Sequence, residues 1–381
     1  MVYNRRVRGN LTNLFWFCLT FYLFLVFKDN YSIYFIKNRL AKDFLLTRKR
    51  LDVVRDLSIK RNVSFNVQKH FAFIKTHKCG SDSLASLFMR FAENHNMQFV
   101  LPIHEWNLHW PSIPNPITDF LPSLKQSNDY DITSLHMMYS TNKWRSFMSK
   151  ETKYIAVIRS PIHQFRSYFT YFGIGTILSK KFDVPDNKTF YEFLLNPQKF
   201  AKVQRKVWRN TMLFDFGYKG HETISAFIRK LSEELYLVLI ADHMVESLVL
   251  LKRKFNWSTA DILMTTKNRA RKPYNTIDKS HILLYEKYAP GDHLLFNYFN
   301  QSLWLQIKKE KHFHEEVVEY NRLMEVTTAY CDSAVPSSET YAIPSQRFSE
   351  TITLSFHLCS QLKRGVVKYI SHLKQLNYGL V

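Results

Sequence analysis

Four apolar runs punctuate the chain beyond residue 67: 70–75 (HFAFIK), 130–135 (YDITSL), 153–159 (KYIAVIR) and 235–241 (LYLVLIA). Each is continuous rather than alternating. A continuous run of this length fits a strand covered on both faces, as in a parallel sheet. Helical spacing appears in other stretches, at 83–95, 161–172, 200–215 and 245–255. In the first, Leu84, Leu87, Phe88 and Phe91 fall at i, i+3, i+4 and i+7. Strands and helices in this order predict a three-layer α/β domain with a mostly parallel central sheet. The chain carries no internal repeat. After Cys331 it turns to Pro, Ser and Thr, and it ends in a basic helical stretch near 358–375.

A different pattern precedes this body. Residues 11–27 (LTNLFWFCLTFYLFLVF) carry no charge, behind Arg5, Arg6 and Arg8 and ahead of Lys28 and Asp29. The run lies at the short end of a membrane span. It stays bulky and aromatic to its end and no small-x-small site follows, which argues against a cleaved signal peptide. The arginines on the short side predict that this side stays cytosolic. The expected order is a cytosolic tail (1–10), a transmembrane signal anchor (11–27), a Lys/Arg-rich stem (28–66), an α/β body (67–330) and a C-terminal extension (331–381). Everything after the anchor is then luminal.

A lumen gives other residues meaning. Asn62, Asn187, Asn256 and Asn300 head N-x-[ST] triplets and become candidate glycosylation sites. Cys331 and Cys359 are either a disulfide or two unrelated buried thiols. Lys and Arg number 53 against 32 Asp and Glu, a formal net charge of +21. That charge calls for an anionic partner: nucleic acid, acidic lipid, acidic glycan or a phosphorylated nucleotide. Luminal placement removes nucleic acid, and no RNP, zinc-finger or homeodomain pattern is present.

In an open α/β sheet, ligands bind beyond the carboxyl ends of the strands. After 70–75 comes Lys75-Thr76-His77-Lys78-Cys79-Gly80-Ser81-Asp82-Ser83, a small polar loop that opens a helix. Backbone N–H groups and the helix dipole there suit an anion. The alternative is an ordinary strand–helix turn with solvated lysines. The loop is not a Walker A sequence. After 153–159 comes Arg159-Ser160-Pro161, with Ser160 placed to cap a helix and Pro161 at its first turn. Arg159 ends an apolar strand and needs a partner, either a phosphate or a carboxylate. Ser167 lies two turns further on. His136 ends the run 130–135. HExxH, CxxC, GxSxG and GxGxxG are all absent, so neither a zinc site nor a serine-hydrolase or dinucleotide site is supported.

Two of these segments carry a resemblance. FAFIKTHKCGSDSL (71–84) resembles the 5′-phosphosulfate loop of Golgi carbohydrate sulfotransferases, most of all the galactose-3-O-sulfotransferase family. YIAVIRSPIHQFRSYFTYF (154–172) is similar to that family's 3′-phosphate-binding strand and helix. SLHMMYS (134–140), WRNTMLFDFGY (208–218) and LVLIADHMVESLVLLKRKFNW (237–257) echo it more weakly. The resemblance spans about 70–270. It implies a sulfotransferase fold with a P-loop-like nucleotide site. It also implies a single-pass type II Golgi membrane glycoprotein, with 3′-phosphoadenosine 5′-phosphosulfate (PAPS) as sulfate donor and no metal. Lys75, Thr76, His77, Lys78, Cys79, Gly80, Ser81 and Ser83 would surround the 5′-phosphosulfate. Arg159 and Ser167 would bind the 3′-phosphate. Lys75 and Lys78 would stabilise the transferring group. His77 is the leading base and His136 the second, as base or acceptor-orienting group. Cys79, Gly80 and Asp82 depart from the family's loop. Asp82 brings a negative charge, and either points away to cap the helix or lowers donor affinity.

The expected acceptor is the 3-hydroxyl of a terminal β-galactose on a glycolipid or glycoprotein glycan. The alternatives are a glycosaminoglycan acceptor of the heparan or chondroitin type, and an inactive membrane-anchored glycan-binding protein on the same fold. A homodimer is compatible with each. Trp106, Trp110 and Trp144 are candidates to stack on sugars or to fill the core.

Overall fold

The computed structural model describes residues 67–104, 108, 110–203, 209–265, 277–333 and 340–380. The anchor at 11–27, the stem and Asn62 lie outside these residues. Among the described residues no helix is long and apolar enough to cross a membrane.

Strands β1 (Phe71–Ile74), β2 (Ile132–Thr133), β3 (Lys153–Ile158) and β4 (Leu235–Ile240) form one sheet in the order β2-β1-β3-β4. Every neighbouring pair is parallel, with Phe71 opposite Ile132 on one side and Lys153 on the other. The continuous apolar runs explain this: all four β1 residues and Ile155–Ile158 are wholly buried. Such strands need cover on both faces.

The cover is aromatic. The helix after β1, α1 (Ser81–Asn94), brings Phe88 and Phe91 onto Phe71, with ring centroids 5.0 and 5.9 Å away. Phe255, at the end of α4 (Met244–Phe255), and Trp257 complete that cluster at 5.7 and 5.4 Å. The helix after β3, α2 (Pro161–Tyr171), has its own cluster, in which Phe165 meets Phe193 and Tyr285. Truncating a wholly buried Phe such as Phe165 costs about 3–5 kcal/mol. That is a large part of a domain's net stability of about 5–15 kcal/mol, so this packing fixes where α2 and its strand end lie.

Two expectations change. The helical spacing at 200–215 becomes a 3₁₀ turn (Pro197–Val203) and a short helix, α3 (Thr211–Asp215). Asn210 sits at φ 53°, a left-handed conformation that a continuous α-helix does not contain. Ser160 precedes α2, yet no side chain caps that helix; its N–H instead donates to Asp242 Oδ2 at 2.6 Å.

The C-terminal part is helical and packs on the body. It comprises α5 (Pro290–Ile307), α6 (Phe313–Ser333), a hairpin of β5 (Tyr341–Ile343) and β6 (Ile352–Leu354), α7 (Phe356–Lys363) and α8 (Val366–Tyr378). Residues 330 and 331 sit inside α6. A disulfide joins Cys331 on α6 to Cys359 on α7, with Cα atoms 5.2 Å apart. Glu93 of α1 receives His372 at 2.8 Å and Arg364 at 3.4 Å.

Candidate active site

The strand order creates a switch point. The chain leaves β1 toward β2 on one side, and leaves β3 toward β4 on the other. The crevice between the carboxyl ends of β1 and β3 is where such sheets bind ligands. Residues 75–80 and Arg159 lie at those two ends.

The loop is rigidly built. The Thr76 hydroxyl donates to the Val157 carbonyl and ties the loop to β3. The Ser81 hydroxyl donates to the Thr76 carbonyl at 2.7 Å. Both residues are buried and both hydroxyls serve the loop's own shape. Gly80, at φ 72°, makes the left-handed step into α1, where a side chain is disfavoured. Among the described residues no side chain caps α1; the Ser83 N–H turns back to the Gly80 carbonyl at 3.2 Å, and the N–H groups ahead of it suit an anion. Ser83 lies in that turn, half-buried. Cys79 is wholly buried with Sγ 3.8 Å from Met212 Sδ, so it offers the site only its backbone. Burial pushes its thiol up, away from reactive thiolate.

Lys75 is buried and its ammonium meets Asp82 Oδ1 at 2.6 Å. Burial pulls the Lys75 ammonium below its usual range, and Asp82 offsets only part of that. Partial desolvation beside the loop raises the Asp82 carboxyl, but the Lys75 charge and hydrogen bond outweigh it and hold the carboxyl low. Asp82 therefore neither points away nor caps the helix. It lies exposed at the mouth of the loop and supplies the anion that Lys75 holds. Lys78 is the loop's second cation, at φ 62°, with Nζ 3.8 Å over the exposed Tyr171 ring. Burial lowers its pKa, and nearby Arg159 and Lys75 add to the effect.

His77 and His136 meet. Their rings stack 4.1 Å apart at 18°, and the Trp110 ring lies 4.2 Å from His77. His136 Nδ1 lies 3.1 Å from the Lys75 carbonyl. Burial lowers the His136 pKa well below the ordinary range, with the Lys75 and His77 charges adding to it. The third member of the group was not singled out from sequence. Asp215, at the end of α3, is buried beneath His77. Its carboxylate accepts the His77 backbone N–H at 2.7 Å and lies 2.9 Å from His77 Nδ1. It also accepts the Trp110 indole N–H at 3.0 Å.

A buried polar scaffold holds these groups in place. Gln164 of α2 donates to the His77 carbonyl at 2.8 Å and accepts from the Thr211 hydroxyl at 2.9 Å. Asp292 of α5 accepts the Met212 and Leu213 N–H groups at 3.2 and 3.0 Å. Burial pushes the Asp292 carboxyl up to about 7, against those two hydrogen bonds.

Arg159 comes to the loop, with Nη1 3.5 Å from the Lys78 carbonyl. Among the described residues no ion pair to a carboxylate neutralises its charge. Ser167 is half-buried on α2 and makes no hydrogen bond to the loop among the described residues. Trp144 is core, its indole N–H donating to the Met138 carbonyl at 3.1 Å. Trp106 lies outside the described residues. Asn187 is exposed in a turn and Asn256 is exposed at the end of α4. Asn300 lies mid-helix in α5, half-buried.

A parallel sheet with an anion cradle at its switch point, two lysines and a histidine held by a carboxylate is the layout of a group-transfer enzyme with a polyanionic donor. The chain belongs to the galactose-3-O-sulfotransferase family, whose profile matches residues 11–331. It is 25% identical over 343 residues to galactose-3-O-sulfotransferase 2 of Mus musculus, covering 80% of this chain and 84% of that one. It is 27% identical over 249 residues to galactose-3-O-sulfotransferase 2 of Homo sapiens, covering 62% of this chain and 61% of that one. It is also 27% identical over 254 residues to galactosylceramide sulfotransferase of Mus musculus, covering 63% of this chain and 58% of that one. The chain thus spans about three-fifths of the latter two. No solved structure matches it.

Proposed function

We propose that this protein transfers sulfate from PAPS to the 3-hydroxyl of a terminal β-galactose on a glycolipid or glycoprotein glycan. The observation that carries the reading is the cradle itself: a buried Lys75, an uncapped α1 and His77 within one loop. Family membership narrows the transferred group to sulfate and the acceptor to galactose.

The residues fit the donor. The first-turn N–H groups of α1, Lys75 and Lys78 would hold the phosphosulfate, and Arg159 the 3′-phosphate. His77 takes the proton of the galactose hydroxyl, whose oxygen attacks sulfur. The bond from sulfur to the phosphate oxygen breaks in line, and adenosine 3′,5′-bisphosphate leaves with the new negative charge. Lys75 and Lys78 stabilise that charge.

Asp82 sets a cost on donor binding, since the donor's anion must take its place at Lys75. Asp82→Ser is expected to lower the donor KM by roughly three- to tenfold, a modest gain because the carboxylate is exposed. An unchanged KM would show that carboxylate and donor do not compete. Arg159→Ala should raise the donor KM at least tenfold with little change in kcat, since one charge-assisted phosphate contact is worth about 1.5–3 kcal/mol. A donor KM equal to wild type would remove Arg159 from the 3′-phosphate site.

We place the enzyme in the Golgi membrane, held by residues 11–27 with its body in the lumen. The Cys331–Cys359 disulfide supports an oxidising compartment. Incubation with labelled PAPS and a panel of galactosylceramide, lactose-type glycans and desulfated heparan and chondroitin tests the reading. Label on the galactose-terminated acceptors is the expected result. Label confined to a glycosaminoglycan would move the acceptor class, and no transfer would contradict the proposal.

A further inference from the structure

We infer that Asp215 is the positioning residue of this site: it holds His77 in the tautomer with Nδ1 protonated, so that Nε2 is the nitrogen that takes the acceptor's proton. The inference rests on the sulfuryl-transfer reading for its role in the reaction, and on geometry for the tautomer.

An ionised carboxylate only accepts hydrogen bonds. Asp215 Oδ1 and Oδ2 lie 2.9 and 3.0 Å from His77 Nδ1, so the proton between them belongs to Nδ1. The same carboxylate takes the His77 backbone N–H at 2.7 Å, so ring and main chain are held by one group. The Trp110 indole N–H donates to Oδ1 of the same carboxylate at 3.0 Å, while the Trp110 ring lies against His77. Asp215 is itself 2% exposed. A buried carboxylate is retained only where donors satisfy it, and here three of them come from His77 and Trp110. Asp215 stands at the end of α3, whose start is held by Asp292 and Gln164. The orientation of His77 is therefore set by a segment more than 130 residues away.

His136 has a different part. Its Nδ1 hydrogen points to the Lys75 carbonyl, which only accepts. Burial keeps the ring neutral, so it adds no positive charge at 4.1 Å when His77 becomes imidazolium. Among the described residues, the titratable groups around His77 are Asp215, His136, Lys75, Lys78, Cys79, Asp82 and Tyr168. Of these, only Asp215 is bonded to its ring. Asp215 both fixes the ring and stabilises the cation that forms on it.

The test uses the full chain in detergent, labelled with ¹⁵N-histidine, and its Asp215→Asn variant. In the wild type, one histidine should show a low-field proton coupled to Nδ1 and absent from Asp215→Asn. Asp215→Asn should lose roughly 10²-fold or more in kcat with the donor KM changed less than twofold. A kcat loss with the low-field Nδ1 proton still present in Asp215→Asn would make Asp215 merely structural and overturn the proposal. So would a His77 whose Nδ1 carries no proton, a result readable in the wild type alone if the variant fails to fold. Absence of sulfate transfer by the wild type would defeat the proposed function, and the tautomer measurement would still decide the role of Asp215.

Discussion

Lys75→Ala is expected to lower kcat by roughly 10³-fold, the loss typical of removing one preorganised donor from a developing charge. The ammonium is buried, and the proposed reaction develops the leaving phosphate's charge beside it. A buried cation acts through a lower effective dielectric than a surface lysine, so its loss is not made good by water. The fold should survive, because Lys75 is not what shapes the loop. Thr76 bonds to β3, Ser81 to Thr76, and Gln164 to the His77 carbonyl, all without the ammonium. Removing Lys75 also leaves Asp82 without its counter-ion, which adds repulsion toward the donor. The double variant Lys75→Ala/Asp82→Ser separates the two effects: it should recover donor affinity and leave kcat low. Steady-state kinetics with a melting curve checks both, and near-normal kcat in Lys75→Ala would remove it from the mechanism.

The second large effect is at His77. His77→Ala should cost roughly 10²–10⁴ in kcat, the usual worth of a positioned base, while His136→Ala should cost less than a tenth of that. The two rings stack, so proximity does not distinguish them. Their partners do. His77 has an anionic partner at Nδ1, whereas His136 has a neutral carbonyl and a pKa held low by burial. Single-turnover rates with donor prebound give the comparison free of product release. A larger loss in His136→Ala would reverse the assignment.

Much of the fold was legible because the buried strands announce themselves. Runs such as YIAVI have no polar position to hide, and the strand ends placed Lys75 and Arg159 at one edge of the sheet. The helices from Lys279 to Ser333 were not read from sequence, since their apolar residues are spread around the axis and only some are buried. The loop 75–83 was legible as a cradle from its residue types. Its internal bonding was not: the sequence gives hydroxyls at Thr76 and Ser81 but not that the loop itself consumes them. Asp215 escaped because its partner lies 138 residues away and nothing local marks it. One signal was available. It is the sole acidic residue in WRNTMLFDFGY, a segment otherwise apolar enough to be buried. A lone carboxylate in such a segment needs a donor.

The proposed reaction places sulfate from PAPS on the 3-hydroxyl of a terminal β-galactose. The direct measurement is the position of the sulfate. Full-length enzyme is incubated with PAPS and a β-galactoside, and the purified product is read by proton NMR. A single sulfated product is expected, in which the galactose H-3 resonance alone moves strongly downfield. A shift at H-6 or H-2, or a product without sulfate, would contradict it.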